Sequence, residues 1–255
     1  MRDSRENFVK RFFDPSRAIL EPQFLVRSFT GKPEHELVLP ERAIITFNNG
    51  DLRRLAEKEH ISIVTAWQPF RTIYVLSAST VAVNSFFGGP NIAALVEELS
   101  SFGAREFILW GYCGGMSGSS RIGSLYIAGR ALREEGISYH YLEDDNEFVS
   151  SDWAKEWSGV AEHEGFQCVD VWSTDAIYRE TNQKIADYAR RGIAAVEMET
   201  ASLYAVCQAK GLKAAAFLVV SDLVNKGTWQ GGFHTRPFKE GVRSMARFMT
   251  EKAIL

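Results

Sequence analysis

Three clusters in this chain carry residue types able to do chemistry, and each follows a short apolar run. Asp222 ends the largely apolar stretch Lys213–Ser221. A carboxyl there is either a helix N-cap or an acid whose proton affinity is raised by its apolar setting. Val196-Glu197-Met198-Glu199 sets two acids around a methionine, just before the amphipathic stretch Ala201–Ala209. A spacing of i, i+2 does not place both on one helix face, so at least one is expected in a pocket while the other favours a helix N-terminus. Gly111-Tyr112-Cys113-Gly114-Gly115 follows the apolar run Glu106–Trp110. It is neither GxGxxG nor a Walker loop, so it reads equally as a tight connection or as a loop whose backbone approaches a ligand. No histidine or other base is patterned with Cys113, which is therefore not read as a nucleophile.

The elements that must position these groups alternate in type. Ala43–Phe47 reads as a strand entering the turn Asn48-Asn49-Gly50-Asp51, followed by a helix over Leu52–His60. Thr72–Ser79 reads as a second buried strand and Asn84–Pro90 as a loop. Ile92, Leu95, Val96, Leu99 and Phe102 share a helical face that ends at Gly103. Further strands are expected at Glu106–Trp110, Gly123–Leu132, Phe166–Thr174 and Lys213–Asp222. Helices are expected over Gln183–Arg191, Glu199–Lys210 and from Lys239 onward. Apolar rather than alternating strands, interleaved with helices, predict a single α/β domain: a three-layer α/β/α arrangement around a mainly parallel sheet. Residues 1–40, punctuated by Pro15, Pro22, Pro33 and Pro40, read as an N-terminal arm with one short helix, and residues 41–255 as the domain. In such sheets ligands bind beyond the carboxyl ends of the strands, and three such ends carry unusual residues: Asn49-Gly50-Asp51, Gly111–Gly115 and Ser221-Asp222.

Composition bounds the partners. Lys plus Arg total 29 against 32 Asp plus Glu, for a formal charge of -3. That charge makes no broad positive field for nucleic acid or an anionic membrane, although a site for one small anion needs only a few donors. The three cysteines, Cys113, Cys168 and Cys207, show neither CxxC nor zinc spacing, and HExxH is absent. These features predict no metal and a reduced, cytoplasmic protein without a membrane span.

Taken together, Val196-Glu197-Met198-Glu199-Thr200-Ala201 and Val220-Ser221-Asp222 resemble the nucleoside phosphorylase-I family of purine nucleoside phosphorylases, uridine phosphorylases and methylthioadenosine nucleosidases. Gly88-Gly89-Pro90, Phe102-Gly103-Ala104, Gly111–Gly115 and the run Ala131–Tyr141 match in the same order, and Gly50-Asp51 with Arg54 resembles the family's first loop. The resemblance implies the family's partly barrel-like mixed sheet and cleavage of an N-glycosidic bond in a nucleoside. Phosphorolysis would yield free base and pentose 1-phosphate, with inorganic phosphate as co-substrate and no other cofactor. Asp222 matches the family's general acid at the base, Glu199 the ribose-binding glutamate and Met198 the methionine on the sugar. Val196 and Glu197 line the base side, and Cys113 and Gly114 fall in the nucleoside pocket. Ile177 and Tyr178 lie where the family packs a residue against the base; core packing is the other reading. Arg236 lies where purine enzymes carry an arginine that assists the acid. A purine is favoured over a pyrimidine because the acid position is filled and no Gln-x-Arg pair appears near Tyr178–Gln183.

The chain departs from the family at the phosphate. The position of the family's strand arginine is Leu109, and that of its Ser or Thr is Tyr112. Gly50, Arg54 and Tyr112 then remain as the anion set, with Arg71 as a contribution from a neighbouring subunit. A nucleosidase using water and a non-catalytic nucleoside-binding homologue are the alternatives. The family also implies a homo-oligomer, a dimer, trimer or hexamer. There His140 and Tyr141 either lend to a neighbour's site or pack as a surface loop on their own domain.

Overall fold

A computed structural model describes residues 12–56, 62–225 and 227–254. In chain order the elements are helix α1 (Pro22–Thr30), strand β1 (Arg42–Thr46), α2 (Asn49–Ala56), β2 (Ser62–Ile63), β3 (Ile73–Val75) and β4 (Thr80–Asn84). These are followed by α3 (Gly89–Ser101), β5 (Glu106–Gly115), β6 (Leu125–Glu134), α4 (Ser138–Tyr141), β7 (Phe148–Ser150) and α5 (Asp152–Glu162). The chain closes with β8 (Phe166–Thr174), α6 (Asn182–Arg190), β9 (Ile193–Glu197), α7 (Thr200–Lys210), β10 (Lys213–Leu223), β11 (Gln230–Gly231) and α8 (Arg236–Phe248).

The strands form one mixed sheet in the order β11-β10-β6-β8-β9-β5-β1-β4-β3-β2, and β10 also pairs with β5. That extra pairing closes β5, β10, β6, β8 and β9 into a small barrel, while β1 to β4 extend from it as a wing. The long ladders are parallel: β5 with β10, β6 with β8, and β1 with β4 and β5. The antiparallel pairings are shorter, among them β5 with β9 and β6 with β10. Helix α7 packs on α3, and α5 and α8 pack on β10. Continuous apolar strands explain this architecture. Ala214 to Val220 of β10 are all nearly inaccessible, as Phe107 to Trp110 of β5 are, because both faces of each strand are covered.

Several sequence expectations change. The segment Thr72–Ser79 is not one strand. Only Ile73–Val75 of it is strand, as the short β3; a turn at 76–79 follows, and the buried β4 beyond it, Thr80–Asn84, runs back antiparallel to β3. The glycine run is not a loop, since Gly111–Gly115 continues β5 and pairs with β10 to its end. The helix expected over Leu52–His60 starts at Asn49, and its expected last residues 57–60 lie outside the described ones. Helix α5 follows Ser151, whose hydroxyl caps it, a start signal passed over in the sequence. Within residues 1–40 the described short helix is α1, Val26 and Leu37 are fully buried, and the Trp67 indole donates to the Leu37 carbonyl at 2.9 Å.

Candidate active site

The sheet places the chemistry at one end of the barrel. Asp222 lies opposite Gly114 in the β5–β10 ladder, after a register shift between Val220 and Asp222. A bulge of this kind re-aims the following side chain, and here it turns Asp222 into a cavity. Gly114 is needed at this point, because a Cβ would sit 3.1 Å from Val196 Cγ1 and 3.3 Å from Asp222 Oδ2. Asp222 is therefore a strand residue; the N-cap reading of its position does not hold. Its Oδ1 accepts from the Ser221 hydroxyl at 2.7 Å and its Oδ2 from the Trp229 indole at 2.9 Å.

The two acids around Met198 take different parts. Glu197 ends β9, and its Oε2 accepts from the backbone amides of Glu199 (2.8 Å) and Thr200 (2.7 Å), capping α7. Its other oxygen accepts from Ser173. Glu199 precedes α7 and turns the other way, accepting from the Gly88 amide at 2.5 Å. Gly88 reaches it with φ 95, in the left-handed region that favours glycine. Burial, and then the neighbouring Glu197, push the Glu199 carboxyl above its ordinary range. Burial raises Glu197 as well.

The cavity measures about 840 Å³. It is lined by ten of the residues singled out in the sequence: Tyr112, Cys113, Gly114, Ile177, Tyr178, Val196, Glu197, Met198, Glu199 and Asp222. Ile177 and Tyr178 stand at its mouth, 53% and 96% exposed, which removes the core-packing reading. Cys113 is buried, and that burial with the nearby Asp222 and Glu197 pushes its thiol well up, so it is no thiolate nucleophile.

Arg236, Gly50 and Arg54 are not in the cavity wall. Arg236 is corrected outright: it opens α8 with its side chain 88% exposed and pairs with Glu240 at 2.7 Å. The polar partner on Asp222 is instead Trp229, which the sequence reading missed. The only sequence signal for it is an aromatic residue among the turn formers Gly227, Thr228, Gly231 and Gly232. Gly50 and Arg54 ride on α2 beside the cavity, with Arg54 Nε 3.8 Å from Asp51 Oδ1. Glu180, Asn48 and Phe47, which also line the cavity, were likewise missed.

The corner where a phosphate is expected is built unusually. Leu109 is fully buried in β5. The Tyr112 hydroxyl donates to Asp51, and the Asn48 amide donates to the same carboxylate oxygen at 2.5 Å. Burial pushes the Asp51 carboxyl up, and burial together with Asp51 pushes the Tyr112 hydroxyl up. Arg71 is tied to Glu98 within its own subunit. Helix α4, which carries His140 and Tyr141, packs on α7. Among the described residues, no helix is long and apolar enough to cross a membrane.

Known proteins resemble this chain in sequence and shape. A guanosine phosphorylase of Halorubrum lacusprofundi is 33% identical over 147 residues, 56% of this chain and 61% of that protein. A DeoD-type purine nucleoside phosphorylase of Clostridium beijerinckii is 29% identical over 140 residues, 53% of this chain and 59% of that protein. The chain thus spans about 60% of the length of the curated relatives it matches. In shape, a Vibrio fischeri uridine phosphorylase crystallised with 6-hydroxy-1-naphthoic acid superposes with a TM-score of 0.71 at 22% identity, covering 88% of this chain and 95% of that one. That likeness carries the fold. The family model of the phosphorylase superfamily matches residues 41–251, starting where the arm gives way to β1, and the chain belongs to that superfamily.

Proposed function

We propose that this protein cleaves the N-glycosidic bond of a purine nucleoside and transfers the pentosyl group to inorganic phosphate. The observation that carries the reading is the pairing of Asp222 and Glu199 in one cavity, with Met198 and Tyr178 on its wall. The names of the haloarchaeal and clostridial relatives support a purine, although a uridine phosphorylase of Haemophilus influenzae is also similar, at 24% identity.

The chemistry follows from placement. As a phosphate oxygen bonds to C1′, the C1′–N9 bond breaks and its electron pair goes to the base. A proton delivered to N7 lets the base leave neutral. Asp222 is the donor: it takes a proton from solvent, gives up its bond from the exposed Trp229, and presents Oδ2 to N7. The sugar passes through a cationic state, which the Glu199 carboxylate stabilises while accepting from ribose hydroxyls. Arg54 with Tyr112 and the α2 backbone near Gly50 hold the phosphate. No cofactor beyond this co-substrate enters the scheme. Exposed Phe86 and Phe87 beside the mouth support a homo-oligomer, in which a second copy covers these rings.

A second reading, hydrolysis with water in place of phosphate, is favoured by the nucleophile corner. Leu109 supplies no charge there, and Tyr112 is already committed to a buried carboxyl. Base release from inosine, guanosine and adenosine, with and without phosphate, separates the two. Release that requires phosphate and yields pentose 1-phosphate supports phosphorolysis. Undiminished release in its absence replaces it with hydrolysis, and no release under either condition overturns both.

A further inference from the structure

The nucleophile corner holds a buried carboxyl that the scheme above does not use. Asn48 and Tyr112 line the cavity, and Asp51 lies behind them, outside its wall. Its Oδ2 accepts from the Tyr112 hydroxyl and from the Asn48 amide at 2.5 Å, and its backbone amide donates to Asn48 Oδ1 at 2.8 Å. The two side-chain donors that could meet an anion there are therefore turned onto a carboxylate instead. The Tyr112 ring packs edge-on against Phe238, with centroids 5.0 Å apart, so the hydroxyl hydrogen is the part free to turn.

Holding phosphate with Tyr112 requires that turn, and an ionised Asp51 opposes it twice. A buried carboxylate would lose one of its donors, and it would face the incoming negative charge at short range. The charges around it do not remove the conflict. Among the described residues, Tyr112 of β5 and Arg54 of its own helix are the titratable and charged groups that act on Asp51; β1, β4 and α8, which also pack on α2, add none. Arg54 is half exposed and 3.8 Å away, and Leu109, buried in the same strand as Tyr112, supplies no charge. A proton on Asp51 removes both costs, because a neutral carboxyl needs no hydrogen from Tyr112 and does not repel the anion. Burial already pushes this carboxyl up, toward holding one.

Resting on the phosphorolysis reading above, we propose that Asp51 makes anion capture proton-coupled: it takes one proton from solvent as the anion binds, and the Tyr112 hydroxyl turns from Asp51 to an anion oxygen. The proton stays on Asp51 while the pentosyl group is transferred and returns to solvent when pentose 1-phosphate leaves, so no bond to carbon depends on it. Asp51 is thus a positioning residue that acts on the nucleophile through Tyr112. Two consequences separate this from a merely structural role. Anion affinity falls about tenfold for each pH unit above neutral, the slope of one linked proton. Replacing the carboxyl by a neutral amide strengthens anion binding at high pH instead of weakening it.

The test is calorimetric titration of the wild type and of Asp51→Asn with sulfate and with phosphate at about pH 8.5, in buffers of different ionisation enthalpy, which counts the protons taken up. Sulfate carries no proton at this pH, and phosphate is a dianion in solution. The wild type is expected to take up about one proton with either anion, and its Kd for sulfate to rise about tenfold per pH unit. Asp51→Asn takes up none, and at the same pH it binds both anions about tenfold or more tighter than the wild type. KM for phosphate in purine release follows the same two trends. Should the variant not fold, the infrared difference spectrum of the wild type with sulfate gives a second readout, in which the carbonyl band of a newly protonated carboxyl appears. No proton taken up with either anion, or a proton taken up with phosphate alone, overturns the proposal while leaving phosphorolysis intact. Uptake that persists in Asp51→Asn overturns it as well. A wild type that binds neither anion and releases base without phosphate removes the phosphorolysis reading, and this assignment falls with it.

Discussion

The two ends of the cavity are built on opposite principles. At the base and sugar end, Asp222, Glu197 and Glu199 stand on strand ends and a helix start, each fixed by hydrogen bonds of 2.5–2.9 Å from neighbouring residues. At the nucleophile corner, the buried polar group is an acid, Asp51, satisfied from within by Tyr112 and Asn48. Among the described residues, the cation paired with it is Arg54, half exposed and 3.8 Å from that acid. An end pre-organised with open acceptors is suited to charge that develops in the reaction. A corner whose polar groups already satisfy each other binds an incoming dianion only by rearranging. The comparison teaches that one cavity can join a wall whose acids are held by neighbouring backbone and side chains to a corner whose acid is satisfied by its own local partners.

The strongest way to break the comparison is Asp222→Asn. It is expected to lower kcat/KM for purine release by about 10²- to 10⁴-fold while nucleoside binding, read by thermal shift, changes little. Equal activity would take the acid out of the mechanism and dissolve the contrast. Glu199→Gln comes next. The Gly88 amide keeps an acceptor but the sugar cation loses its counter-charge, so kcat falls about 10²- to 10³-fold in single-turnover assays.

Tyr112→Phe tests the other end. It removes a donor from the buried Asp51, and the denaturant midpoint should report a loss of about 1–3 kcal/mol. Protection by free guanine should not change; if it weakens in parallel, the two ends are one unit. Glu180→Gln sharpens the base end through pH. The folded protein holds the Glu180 proton up to about 7, whereas the unfolded chain releases it near its ordinary value of 4.5. Folding is therefore penalised progressively as pH rises through that window. The variant should raise Tm at pH 8 and by less at pH 5, and an equal shift at both would deny the burial of this carboxyl. Smallest of all, Arg236→Ala should leave purine release and Tm unchanged, because its exposed pair with Glu240 is solvent-screened.

How much of this was legible depended on whether a residue's partner was near in sequence. Glu199 and Met198 stand at the start of a helix that hydrophobic period alone locates, and α7 begins within a residue of its expected start, whereas β9 before it was not expected. Glu197's cap on that helix follows from the same local spacing. Trp229 and Glu180 were invisible by that route. Each belongs to an irregular segment, and the residue it faces, Asp222, lies on a different element. The misread glycine run has the same cause. Glycines signal a turn in sequence, but Gly114 is required here by Val196 of β9 and Asp222 of β10 crowding it from two other strands.

The sequence by itself determined the alternation of strands and helices and the acids that follow apolar runs, because these are matters of local pattern and residue type; that Leu109 stands where the family carries an arginine is what the resemblance implies. Only the tertiary structure decided that β10 pairs with β5 as well as β6 and closes the barrel. It also decided that a bulge after Val220 aims Asp222 inward, and that Tyr112 spends its hydroxyl on Asp51. Those are contacts between segments distant in the chain. Their register is fixed by burial and hydrogen-bond satisfaction across the whole sheet, which no single stretch of sequence encodes.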